Sequence, residues 1–118
     1  MAAAVARRLA RRKGYRCAYR VISRAELESI RRLGRLDCEP STGYEFTKLF
    51  WEERSAAHRW EPPDEIATGP HYVITVLISP EMFEAGRLPG PIDDNGRVVE
   101  VIRENLNRVV IFPLVEAL

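Results

Sequence analysis

Cysteine is scarce in this chain. Cys17 and Cys38 are its only two among 118 residues, too few for a disulfide framework and not spaced as metal ligands. They read as free, buried thiols in a reducing compartment. Histidine is equally thin: His58 and His71 stand alone, neither with a cysteine or carboxylate at metal spacing, so no metal is expected. Long apolar runs are missing too, and nothing approaches the roughly 18 residues of a membrane-spanning helix. No G-x-S-x-G elbow, P-loop or G-x-G-x-x-G occurs, which removes the usual signatures of a serine hydrolase, a phosphate-cradling loop and a dinucleotide fold. Acid is absent from the first 25 residues, where eight basic side chains run from Arg7 to Arg24. The remaining ten basic residues face all 17 acids.

What is present suits one soluble globular domain: 46% hydrophobic and 30% charged residues, in a chain long enough to bury a real core. The opening "MAAAVARRLARRKGYR" has a character of its own. As an Ala/Arg helix with Val5 and Leu9 on one side it would meet RNA, a membrane surface or an acidic partner. As an Arg-rich, acid-free leader it is like a transit peptide without the usual serines, and it has no secretory apolar core. The plainer reading is a linker. Residues 1–14 are therefore set apart as a basic N-terminal extension or linker, and 15–118 as the folded domain.

Local patterns predict an α+β domain. "YRCAYRVI" reads as a strand by its aromatic and β-branched residues. "SRAELESIRRLG" is a helix with Ser23 as N-cap, Glu26 completing a capping box, an Ile22–Leu27 staple, and Gly34 as its stop. Leu27, Ile30 and Leu33 form its apolar stripe. "DCEPSTG" is a loop, "YEFTKLF" a short strand, and "WEERSAAHRW" a helix ended by Pro62-Pro63. "HYVITVLIS" is apolar on both faces and reads as a central strand. "PEMFEA" suggests a helical turn, "DDNG" a turn, "RVVEVI" a strand and "RENLN" a helical turn. "RVVIFPLVEA" is a last strand in which Pro113 demands an edge or a bulge.

Two strands carry a lone charge in apolar surroundings: Arg20 in "CAYRVI" and Glu100 in "VVEVI". A charge within a sheet needs a partner, because unpaired burial costs several kcal/mol. One reading pairs Arg20 with Glu100 or another acid. The other leaves Arg20 to grip a ligand anion such as phosphate, for which its planar fork is suited, with Glu100 facing a developing positive charge.

Taken in order, "YRVISRAELESIRRLGRL", "KLFWEERSAAHRW", "YVITVLIS" and "EVIRENLNRVV" resemble small bacterial ADP-ribosyltransferase-like toxin or effector domains, over roughly residues 15–112. The resemblance implies a split, two-sheet α+β fold with a few short helices that clamps NAD, as substrate, in a cleft. It implies cleavage of the nicotinamide–ribose bond and transfer of ADP-ribose to a protein or nucleic-acid acceptor, or to water in an NAD glycohydrolase. Arg20, with Tyr19 before it, matches the first-strand arginine that braces NAD. Glu100 matches the catalytic glutamate, with Glu104 of "RENLN" as the alternative. Phe50 and Trp51, with Tyr44, match the aromatic wall, while Phe46, Ala57 and Trp60 read as core. Thr47 stands where many members have a Ser-x-Ser, and Val98 where they have a second acid, which argues against arginine as the acceptor. A toxin of this kind implies an immunity protein as a further partner, and a place in the cytoplasm or delivery into a target cell as part of a longer toxin. The alternative is a non-catalytic binding module of similar fold whose basic N-terminus contacts RNA or a partner protein.

Overall fold

Ser23 occupies the N-cap of the first helix and its hydroxyl accepts the Glu26 N–H at 3.2 Å. At the other end Gly34, at φ 73°, donates its N–H to Ile30 O at 2.7 Å. Only a residue free of a Cβ adopts that left-handed stop without strain. The structure, a computed structural model, describes residues 8, 14–37, 46–60, 69–90 and 96–118. Tyr44, Cys38, the Pro62-Pro63 stop, most of the "DDNG" turn and all of segment 1–13 but Arg8 lie outside the described residues.

The elements are β1 (Arg16–Ser23), α1 (Arg24–Leu33), β2 (Thr47–Trp51), α2 (Arg54–Arg59), β3 (His71–Ile78), α3 (Pro80–Gly86), β4 (Val98–Ile102), a 3-10 helix (Arg103–Arg108) and β5 (Val110–Ala117). The strands form one antiparallel sheet in the order β4-β2-β1-β3-β5. The fold is thus α+β as expected, but the described strands make a single sheet where the resemblance implied two.

Side-chain alternation assigns the faces. Tyr19 lies opposite Trp51, and Trp51 opposite Val98, so these three share one face and Arg20, Phe50 and Val99 the other. The Arg20 face carries the main core, in which Ala18, Ile22, Phe50 and Ile74 meet Leu27 of α1, Phe83 of α3 and Leu106 of the 3-10 helix. The Tyr19 face is covered by α2, whose Ala56 and Ala57 pack on Trp51, Val73 and Val98.

Several local readings are refined by this packing. Ile22 and Leu27 are buried in one cluster, as a staple requires, whereas Leu33 ends α1 exposed. The second helix is shorter than its pattern suggested, because Trp51 closes β2 and Trp60 already leaves helical geometry. β3 is an interior strand between β1 and β5, buried from Val73 to Ile78. Pro113 sits both on an edge strand and within a register shift, between the Ile74–Val115 and Val76–Ile111 pairs. The capping box closes only halfway: Ser23 caps, but the Glu26 carboxylate turns to Arg20 and Lys48 instead. Ser23→Ala should therefore cost about 1 kcal/mol, the ordinary value of a lost N-cap. Urea unfolding measures it, and no loss would show that the staple alone holds the helix start.

Candidate functional site

The sheet is weakest between β1 and β2. These strands share a single register pair, Tyr19 opposite Trp51, whereas β1 and β3 pair from Arg16/Ile78 to Ser23/His71. At the seam Arg20 takes over a ladder position: its Nη1 donates to Leu49 O at 3.1 Å. The rest of its fork is bidentate on Glu26, with Nε to Oε2 at 2.8 Å and Nη2 to Oε1 at 3.0 Å. Lys48, on β2, places its Nζ 3.4 Å from Glu26 Oε1 with a side chain only 1% exposed. Burial pushes the Glu26 carboxyl up, but the Arg20 charge and hydrogen bond, with Lys48 behind them, hold it below the ordinary carboxylate range.

Arg20 is thus paired with an acid, one of the two readings of its place in the strand, and the acid is Glu26 instead of Glu100. Sequence patterns missed both Glu26 and Lys48 as members of this cluster. Glu26 looked committed to the helix cap. In "YEFTKLF" Lys48 stands on the same side as Tyr44 and Phe46, and a charge on that otherwise aromatic side is its only signal in the sequence.

Glu100 lies on the opposite face from Arg20, because it alternates with Val99 and follows Val98 by two. It is half-buried, opposite Leu49, and the exposed side chains of Leu49 and Ile102 flank it. Thr47, opposite Ile102, shares this face. Its hydroxyl is the buried side-chain oxygen that lacks a hydrogen-bond partner among the described residues. A group so placed is costly unless something binds to it. Behind Glu100, Gly86 of α3 approaches its backbone so closely that a Cβ would lie 3.0 Å from the Glu100 carbonyl carbon.

Glu104 is elsewhere. It is exposed on the 3-10 helix and lines a polar cavity of about 420 Å³ with Arg35, Asp37, Arg103 and Asn107. The two candidate carboxylates therefore face different surroundings.

The aromatics are distributed against expectation. Phe50 is fully buried in the main core, and Trp51 packs beneath α2, so neither ring offers a face to a flat ligand. Phe46, expected in the core, is 75% exposed immediately before β2. The strand begins only at Thr47, and among the described residues Phe46 belongs to no core cluster. Tyr19 is half-buried on the Glu100 face, and burial raises its hydroxyl above the usual tyrosine range. Near it, Arg54 and His58 of α2 both bond Glu116 of β5, and Arg54 holds that carboxyl below the ordinary range.

Among the described residues no group of histidine, cysteine and carboxylate side chains could hold a metal ion, and no helix is long and apolar enough to cross a membrane. Compared with protein-family models, curated proteins and solved structures, the chain matches none.

Proposed function

We propose that this chain is an NAD-consuming, ADP-ribosyltransferase-like domain that binds NAD at the β1–β2 seam and breaks its nicotinamide–ribose bond. The observation that supports this most is the seam itself. One register pair joins β4–β2 to β1–β3–β5, and Arg20 fills the gap with a side-chain bond to Leu49 O. A split into two half-sheets clamping a dinucleotide would fall at this line. Arg20 reaches the seam from the face that carries α1 and Glu100 stands on the other, so NAD in an opened seam meets both.

In this reading Glu100 faces the ribose. As the glycosidic bond breaks, its electron pair leaves with the nicotinamide nitrogen and positive charge grows on the ribose, which a carboxylate stabilises. The acceptor oxygen or nitrogen then attacks the anomeric carbon and gives up its proton. The Thr47 hydroxyl, buried on the same face and without a partner among the described residues, would hold the carboxylate or a ribose hydroxyl. Arg20 exchanges Glu26 for a phosphate, while Lys48 stays beside the carboxylate it leaves. The stacking ring is Phe46 or Tyr19, since Phe50 and Trp51 are committed to the core.

One observation favours a second reading, the non-catalytic binding module whose basic N-terminus contacts RNA or a partner protein. Each nitrogen of the Arg20 fork already has a protein acceptor, as a purely structural arginine would. The variant Arg20→Lys separates the two. If the fork exchanges onto NAD, the apparent affinity for NAD in a nicotinamide-release assay falls about tenfold, the size of one lost charged hydrogen bond. Unchanged affinity with a lowered melting temperature would leave Arg20 a structural residue.

A further inference from the structure

The two edges of the sheet are treated differently. Outside β4, Leu88 N donates to Val98 O at 3.0 Å and Arg87 bridges Val99, so the chain closes that edge itself. Outside β5 no further strand lies among the described residues. Leu118 N donates inward to His71 O at 3.0 Å. By alternation Glu116 also faces β3, and Val115 and Ala117 turn their N–H and C=O groups outward. A strand of eight residues that pairs only on its β3 side among the described residues, with exposed Val110, Leu114 and Val115, is an edge that proteins otherwise blunt with charge or cover. Pro113 and the register shift around it blunt the edge between Ile111 and Val115, and the stretch from Val115 to Ala117 stays regular.

Beside this edge, on the α1 side, lies a cavity of about 380 Å³. Leu27, Tyr72 and Val115 give it an apolar floor, and Arg24 and Arg31 stand on its rim. Its one acid, Glu28, is 3.5 Å from Arg24 and engaged with it, so Arg31 adds a further guanidinium.

We propose that the β5 edge takes an extended acidic segment of a partner protein as a sixth strand. The segment pairs its backbone with Val115 and Ala117, sets an apolar side chain into the cavity, and turns carboxylates to Arg24 and Arg31. Charge argues against two other occupants. The chain's own segment 1–13 carries Arg7, Arg8, Arg11, Arg12 and Lys13 with no acid, and would meet the arginine rim with like charge. A second copy pairing β5 to β5 about a two-fold brings both α1 helices to the same side, arginine toward arginine. The proposal is independent of the NAD reading, since β5 is not part of the seam.

The probe is a fluorescent synthetic peptide of about ten residues, alternating valine with glutamate as a strand that adds to an edge requires. It is titrated into the full chain beside its lysine counterpart. The acidic peptide should bind at least about tenfold more tightly than the basic one, a difference of about 1.4 kcal/mol. Val115→Pro removes an outward N–H and should weaken binding about tenfold at unchanged melting temperature. The paired variant Arg24→Glu/Arg31→Glu reverses the surface charge at the cost of the solvated Arg24–Glu28 pair, a small loss for an exposed ion pair, and should reverse the preference. Equal binding of the two peptides, or binding of neither, overturns the proposal. So does a dimer of the free chain in sedimentation that Val115→Pro dissolves, which would give the edge to a second copy.

Discussion

Glu26→Gln should destabilise the fold by about 3 kcal/mol, the lower end of what breaking a buried ion pair costs. Glu26 accepts two hydrogen bonds from Arg20 and lies 3.4 Å from the buried Lys48 ammonium. The neutral amide keeps the shape and removes the charge both cations face. Lys48→Met in the Glu26→Gln background should recover part of the loss, because an apolar side chain at that position needs no counter-charge. The wild-type pH dependence follows from the same cluster. The folded carboxyl lies below its ordinary value of 4.5, so the folded state binds this proton less readily than the unfolded chain. The stabilisation is complete above the ordinary carboxylate range and is lost as pH falls through the depressed folded value. In acid, therefore, the gap between wild type and Glu26→Gln should narrow. Equilibrium urea unfolding at neutral and acidic pH measures both effects. A loss below about 1 kcal/mol at neutral pH would mean that water already reaches the cluster as it would a surface pair.

Gly86→Ala should cost about 3 kcal/mol, toward the upper end of overpacking penalties. The added methyl would collide with the Glu100 carbonyl oxygen and sit 3.0 Å from its carbon and 3.3 Å from its nitrogen. That neighbour is strand backbone, paired to Leu49 of β2 and flanked by the Arg87–Val99 bridge, so it has no rotamer with which to yield. Either α3 or β4 must move, and a moved β4 carries Glu100 with it. The variant should accordingly lose nicotinamide release beyond what its melting temperature explains. A melting temperature equal to wild type would show that α3 slides freely over β4, and the contact would then have no bearing on Glu100.

Much of the fold was legible where the physics is local. The Ser23 cap, the Gly34 stop and the β3 apolar run depend on a few adjacent residues, and each stands where its pattern put it. Pro113 announced an edge or a bulge through its missing N–H alone, and it stands at both. What escaped was set by pairing at long range. Whether Lys48 is buried depends on Glu26, which reaches it only because α1 lies across the sheet. Phe46 and Phe50 look alike in a strand pattern, yet β2 begins between them, leaving one ring exposed and one in the core. Arg20 and Glu100 each stood out as a charge in an apolar strand. That they occupy opposite faces follows only from the β1–β2 and β2–β4 registers, which no single strand encodes. That β5 is an edge with its outer side open, and not an interior strand with a bulge, follows only from the strand order.

Nicotinamide released from NAD by the purified full chain, with Glu100→Gln and Glu104→Gln beside it, tests the seam account most directly. Wild type and Glu104→Gln should turn over NAD. Glu100→Gln should fall by roughly a hundredfold or more, as expected when a charge-stabilising group of the transition state is removed. Release that survives in Glu100→Gln, or none from wild type even with cell lysate supplied as acceptor, would contradict it.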